Sequence, residues 1–336
     1  MDAAGVGGSD YEELRGERRC EMEALEILER VPPCAACDEG ACDGGDRDGG
    51  GSDGGGCDDD DGEGSDSLGK ENDEGALEDR ISRELLLSCV KKNTKQQEGE
   101  TEEHYLGKIT HVNLAGKGLT GMKGLERCRR MQTLYLYENA IDSLTPLSFA
   151  RGLTHLYLQH NSLSSFHGLG ELPLLSKLYA DYNRIETVSD LEGCTGLAEL
   201  HLSHQQLEPG SPGMSIAPPT VAVLRECLQS IAIRGCALRN VGELGHLSAL
   251  ESIDGAESGI DDIAEVEGVL RALPNITRLN LSGCPVTKTR KYRDSVVLAG
   301  LHIAELDGKP VRDDERLFLI RMTKNSLRKK MAGMKT

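Results

Sequence analysis

One spacing recurs down this chain and leaves few folds open to it. A pattern of the type Leu-x-x-Leu-x-Leu-x-x-Asn-x-Leu opens at Ile109, Met131, Leu153, Leu175 and Leu197, at one constant step of about 22 residues. It resumes at Leu228, Leu250 and Ile276, with one further step of the same length between two longer ones. In "LTHLYLQHNSL" the leucines Leu153, Leu156, Leu158 and Leu163 follow neither the 3.6-residue period of a helix nor the two-residue period of a strand over the whole stretch. A mixed pattern that returns at a fixed step is the mark of coils stacked along one axis.

The spacing can be read atom by atom. Leu156 and Leu158 are two apart on a short strand and point the same way, inward. Leu153 and Leu163 close the coil above and below. Asn139, Asn161 and Asn183 fall in the turn after the strand, where an amide can bond the backbone of adjacent coils; Cys236 and Cys284 hold the same slot. A second apolar triplet, such as Ile141–Leu144–Leu147 or Ile185–Val188–Leu191, predicts an outer helical or 3-10 segment. No coil buries its own apolar face, so such a stack is stable only as a unit. The expected fold is an α/β solenoid, a leucine-rich-repeat horseshoe of about eight 22-residue repeats.

Both ends of a stack need covers. "ALEDRISRELLLSCVKKN" places Leu77, Ile81, Leu85 and Cys89 at i, i+4 spacing and predicts an N-terminal capping helix. "KYRDSVVLAGLHIAELDGKPV" and "RDDERLFLIRMTKNSLRKK" leave the repeat and predict a helical C-terminal cap. The Pro/Gly-bearing "EPGSPGMSIAPP" predicts an extruded loop within the first long step. The expected organisation is a tail over 1–75, capping helix and linker over 76–107, repeats over 108–286 with an insertion near 208–220, and cap with basic tail over 287–336.

Charge separates the tail from the rest. Residues 1–80 hold 26 Asp/Glu against 7 Lys/Arg, a net of −19, so the other 256 residues of the 336 sum to about +1 against the total of −18. Gly/Asp low complexity over 34–67 cannot bury enough apolar surface to order itself. Cys34, Cys37, Cys42 and Cys57 read as incidental thiols of that segment, for no fold-forming pattern lies between them. The acidic start lacks an apolar leader core, no run of 18 apolar residues occurs, and the 11 cysteines show no disulfide framework; together these predict an intracellular protein with no membrane partner. A strongly basic footprint for nucleic acid is absent from the repeats, so nucleic acid is not an expected partner.

Strand alternation sends the residues between the leucines to the opposite, concave face. The central outward position reads Asn113, Tyr135, Tyr157, Tyr179, His201, Ala232, Asp254 and Asn280. Tyr137 and Tyr182 join one pleat along, as do His155, His160 and His204; Asp181, Arg234 and Asp254 give a rim of mixed charge, with Glu138, Lys177, Glu199 and Glu257. Two readings stand side by side. Stacked tyrosines stabilise neighbouring strands; tyrosines in a row also offer large, rigid, polar-tipped area to a protein partner. His155, His160, His201 and His204 lie two repeats apart, about 10 Å by strand spacing, too far to share one ion, so no metal or cofactor is expected. No nucleophile–base–orienter set or phosphate-cradling loop is present, and an enzyme is not expected.

"KITHVNLAGKGL", "LYLYENAIDSL", "LTHLYLQHNSLSS", "LYADYNRI", "LHLSHQQLEPG" and "LNLSGCPV…KYRDSVV…LDGK" resemble the protein phosphatase 1 regulatory subunit 42 family, within the SDS-twenty-two-like class of leucine-rich-repeat proteins. The likeness runs over about residues 85–320 and includes Gln205-Gln206-Leu207 in the fifth unit and Tyr292, Arg293, Asp294, Leu306, Asp307 and Gly308 near the end. It implies a non-enzymatic regulator that binds the phosphatase catalytic subunit, at cytoplasmic centrosome, microtubule or cilium-base structures. The short docking motif for that phosphatase, Val/Ile-x-Phe/Trp, is absent at Phe149, Phe166 and Phe318, so engagement would fall to the concave face. Rival expectations are a ciliary adaptor for dynein or tubulin components and a nuclear acidic repeat protein that binds histones.

Overall fold

The computed structural model describes residues 81–90, 96–238 and 240–333, the side chains of residues 330, 332 and 333 aside. Two units are distinguished, Glu74–Met322 and Met1–Asp73 with Thr323–Thr336. The repeats all lie in the first; within the second, only the end of the last helix is described. Among the described helices none is long and apolar enough to cross a membrane.

Each repeat contributes one three-residue strand. These are β1 (His111–Asn113), β2 (Thr133–Tyr135), β3 (His155–Tyr157), β4 (Lys177–Tyr179), β6 (Glu199–His201), β8 (Ser230–Ala232), β9 (Ser252–Asp254) and β10 (Arg278–Asn280). They pair in parallel in chain order, and β11 (Glu305–Leu306) continues the sheet before the antiparallel β12 (Lys309–Pro310) closes it. The register puts one inward residue of each strand opposite the next: Val112, Leu134, Leu156, Leu178, Leu200, Ile231, Ile253, Leu279 and Leu306. All nine are buried.

The turn after the strand is held by the slot that the pattern assigns to Asn. Asn161 donates from Nδ2 to Leu136 O (2.9 Å) and Leu158 O (3.0 Å) and accepts from Ile141 N–H. Asn183 repeats this with Leu158 O, Ala180 O and Leu163 N–H, one coil further on. Gln205, where the fifth unit departs from Asn, reaches Ala180 O and accepts from Ile185 N–H (both 2.8 Å). Cys236 and Cys284 give their thiols to Leu202 O (3.0 Å) and Gly255 O (3.1 Å). A thiol supplies one weak donor where an amide supplies two, and burial pushes the Cys236 thiol further up, so it stays protonated.

Step length decides what the outer side becomes. The shorter, regular steps leave room for a 3-10 turn, as at Leu125–Arg127 and Thr145–Leu147. The two longer steps instead hold α-helices, α3 (Pro218–Cys227) and α4 (Ile263–Ala272). Two expectations are corrected here. The stretch over 208–220 is not simply an extruded loop: Met214 and Ile216 enter the core, and β7 (Ser215–Ile216) pairs in parallel with β5 (Thr187–Val188). The triplet Ile185–Val188–Leu191 therefore runs through a short strand, because the insertion supplies a pairing partner. Pro218 and Pro219 do not break the chain but begin α3, where a missing N–H costs nothing.

At the start, α1 (Arg83–Val90) buries Leu86 and Val90, while Leu85 and Cys89 of the anticipated stripe are only half-buried; Leu77 lies outside the described residues. The following short helix, α2 (Glu102–Gly107), buries Tyr105 and Leu106 and is capped by Thr101 Oγ1, which accepts from His104 N–H. At the far end, α5 (Tyr292–Ala299) precedes β11, and α6 (Asp313–Gly333) follows β12. Arg293 forks onto Glu315 at 2.6 and 2.9 Å, tying α5 to α6. Arg316 donates to the carbonyls of Val297, Gly300 and Ile303, which lie at or just beyond the end of α5. Asp307 Oδ1 accepts from Leu281 N–H at 2.8 Å.

Candidate functional site

The open face of the sheet carries the outward side chains in columns set by the register. The central column runs Asn113, Tyr135, Tyr157, Tyr179, His201, Ala232, Asp254, Asn280. Its aromatic members stack: Tyr135 on Tyr157 with centroids 4.6 Å apart, Tyr157 on Tyr179 at 4.7 Å, and His201 tilted on Tyr179 at 4.4 Å. The strand spacing of about 4.8 Å makes this arrangement natural, since identical rotamers on parallel neighbours bring rings into contact.

Stacking has a chemical consequence. Each inner ring gives both faces to its neighbours, so Tyr157 and Tyr179 present edges and hydroxyls to solvent. Both are half-buried, as is Tyr135. Tyr179 Oη donates to Glu199 Oε2 at 3.0 Å, and Lys177 Nζ donates to Glu199 Oε1 at 2.8 Å. Burial pushes the Tyr179 phenol up, and its bond to the Glu199 carboxylate adds to this. Burial also works to raise Glu199, but the bonds from Lys177 and Tyr179 outweigh it and hold the carboxyl below its usual range. Burial, then the neighbouring Tyr135, raises the Tyr157 phenol. Tyr157 and Tyr179 are therefore neutral donors at neutral pH.

A second aromatic column recurs at the same step in the sequence, which does not show its backbone setting. His160, Tyr182 and His204 lie on the turn after the strand, not on a strand pleat, each in the left-handed region with φ of 55°, 57° and 55°. The same place in other coils is Gly116, Glu138, Gly235, Glu257 and Gly283, all at positive φ. Glycine is the residue this backbone favours, yet three consecutive coils carry a ring there. The rings stack at 4.2 Å (His160 on Tyr182) and 4.9 Å (Tyr182 on His204). His204 then lies over Gly235, where a Cβ would meet its Nδ1 at 2.5 Å. Other coils hold non-glycine residues at this φ, so it is the ring above that favours glycine in that coil.

The remaining sequence-selected residues fall in flanking columns. His155 precedes the tyrosine column and shares its place with Lys177 and Glu199; its Nδ1 lies 2.8 Å from Thr154 Oγ1. Tyr137, Asp181 and Arg234 follow the column. Asp181 Oδ1 accepts from Ser203 N–H at 2.7 Å, and Arg234 lies 3.7 Å from Asp254. Of the rim, Glu199 is the member sequence reading undervalues: it joins strand, hydroxyl and ammonium. Its place opposite Lys177, in the strand next to that of Tyr179, is the available signal.

Residues 129–185 match the family model described as Leucine rich repeat. Among solved structures, internalin C2 of Listeria monocytogenes is 24% identical, over 60% of this chain and 84% of that one, with a TM-score of 0.47. Internalin InlF of the same organism is 17% identical over 70% and 91%, with a TM-score of 0.40. The matched segment spans the strands β2, β3 and β4, and the same register continues from β1 to β11. The fold is that of a leucine-rich-repeat solenoid.

Proposed function

We propose that this chain is a non-enzymatic protein-binding scaffold whose open sheet face grips a partner through the two aromatic columns. The reading rests on the pair of columns, Tyr135–Tyr157–Tyr179–His201 and His160–Tyr182–His204, in register on adjoining coils. Tyrosine is enriched among interface anchors, and rings pre-stacked by the sheet lose little freedom on binding. In the second column, side chains are retained at positive φ against a backbone cost that glycine would avoid.

The resemblance of the repeats and of the Tyr292–Gly308 end supports the catalytic subunit of protein phosphatase 1 as that partner, with a cytoplasmic place at the centrosome or cilium base. The test uses purified catalytic subunit and the Tyr157→Ala/Tyr179→Ala double variant. Binding should weaken by about 2 kcal/mol or more per hot-spot ring, with Tyr157→Phe as a control that keeps the stack. Unchanged affinity in a folded double variant removes the tyrosine column from the mechanism. Capture of tubulin or dynein components, or of histones, without phosphatase would favour the adaptor or nuclear readings instead.

A further inference from the structure

The aromatic columns have a pitch, and a pitch selects among ligands. Tyr135 and Tyr157 are 4.6 Å apart between ring centres and Tyr157 and Tyr179 are 4.7 Å apart, so every second ring recurs at about 9.3 Å. The turn column keeps a similar interval, with His160 and Tyr182 at 4.2 Å and Tyr182 and His204 at 4.9 Å. Tyr182, although held between two rings, is still 37% exposed. A chain that lies along the columns and touches several coils must offer its contacts at this interval.

Regular backbones differ in what they offer. An α-helix presents residues i and i+3 about 4.5 Å apart, but each such step turns about 60° around the helix axis, so the ridge leaves a column within two coils. A β-strand returns to one face every ~6.7 Å, which falls between one coil step and two. The columns also stand on the face of the sheet, where no backbone edge is free to pair with an added strand. A polyproline II helix has three residues per turn at about 3.1 Å each, so one face returns every ~9.3 Å. That is the interval of every second ring.

Charge and hydrogen bonding agree with the pitch. Lys177 and Glu199 neutralise each other at 2.8 Å, and the Asp181 carboxylate accepts from Ser203 N–H. Among the described residues the hydroxyls of Tyr135 and Tyr157 have no hydrogen-bond partner. The tyrosine column therefore offers neutral donors. A proline-rich backbone brings carbonyl acceptors, carries no charge and lacks an N–H at each proline. We infer that the ligand of the aromatic columns is a proline-rich segment of the partner in the polyproline II conformation. It lies along the stack with its residues i and i+3 on every second ring. This inference rests on the reading of the columns as the gripping face and adds what they grip.

The test is fluorescence anisotropy with labelled decaproline, beside a labelled Gly-Ser peptide of equal length. Each is titrated into the full chain and its Tyr157→Ala, Tyr157→Phe and Asp254→Ala variants. Decaproline should bind the unaltered chain roughly tenfold more tightly than the Gly-Ser peptide, since its conformation is already formed. Tyr157→Ala should weaken it roughly tenfold. Tyr157→Phe keeps the ring, loses the donor and should weaken it roughly threefold; this variant carries the test where Tyr157→Ala does not fold. Asp254→Ala should leave it unchanged. Equal binding of the two peptides, or decaproline binding that ignores both Tyr157 variants, overturns the inference. Titration of the purified phosphatase catalytic subunit in parallel keeps the two readings apart. Phosphatase binding that depends on Tyr157 and Tyr179, with no binding of decaproline, sinks this inference alone. Decaproline binding through Tyr157 without phosphatase binding supports it and removes that partner.

Discussion

The coils of β2 to β6 and those of β8 to β10 use one scaffold for two surfaces. Inward, they are alike: Leu134, Leu156, Leu178 and Leu200 on one side and Ile231, Ile253 and Leu279 on the other are all buried. Outward, the same column is Tyr135, Tyr157, Tyr179 and His201 in the first group but Ala232, Asp254 and Asn280 in the second. The turn slot changes as well, from Asn139, Asn161, Asn183 and Gln205 to Cys236, Ser258 and Cys284. The outer side does not divide the same way: α3 follows β6 in the first group, while the second has a 3-10 turn after β8 (Val241–His246), α4 after β9 and a 3-10 turn after β10 (Pro285–Lys288). Inward positions are dictated by stacking, while outward positions are free, and only the first group uses that freedom for rings.

The inward likeness is the part most open to challenge. Leu178→Ala, at a fully buried position, should cost about 3–4 kcal/mol in denaturant unfolding, and Ile253→Ala should cost a similar amount. Equal losses would mean that the two groups share one core requirement; a much smaller loss at Ile253 would separate them. Next in size is the turn slot. Asn183→Ala removes an amide that makes four bonds in a buried place and should cost about 2–3 kcal/mol, whereas Cys236→Ala should cost about 1 kcal/mol or less, since a thiol is a weak donor. A larger loss at Cys236 would reverse the ranking.

The outward column should respond less. Tyr157→Ala loses two ring contacts and should cost about 1–2 kcal/mol, while Asp254→Ala should stay within about 0.5 kcal/mol. The smallest effect is one of pH. Glu199 is held below the usual carboxylate range by Lys177 and Tyr179, so its contribution is present above the unfolded-state value near pH 4 and is lost as pH falls through the lower folded value. Glu199→Gln should flatten the acid limb of a thermal-midpoint-versus-pH curve below about pH 4. An unchanged acid limb would show that this bond network adds nothing to stability.

Much of this is legible in the sequence because stacking is periodic. Leucine spacing marks out the coils, and counting off one repeat length aligns Tyr135, Tyr157 and Tyr179 without coordinates. What escapes is set by contacts between distant residues. Pro218-Pro219 reads equally as loop or as helix start, and only the seating of Met214 and Ile216 in the core decides. Alternation alone puts His160, Tyr182 and His204 on a pleat, because it carries no signal of where a strand ends; in the structure they stand on the left-handed turn. That ring faces cover each other, leaving hydroxyls as the presented groups, follows from rotamers that no spacing encodes. The binding role proposed for the two columns rests on this geometry.

A gripping sheet face is tested most directly by hydrogen–deuterium exchange of the full chain with and without purified phosphatase catalytic subunit. Added protection is expected over residues 133–138, 155–160, 177–182 and 199–204, and none over 252–257 or 278–282. Protection confined to the later coils, or absent from the sheet face altogether, would contradict a partner held by the aromatic columns.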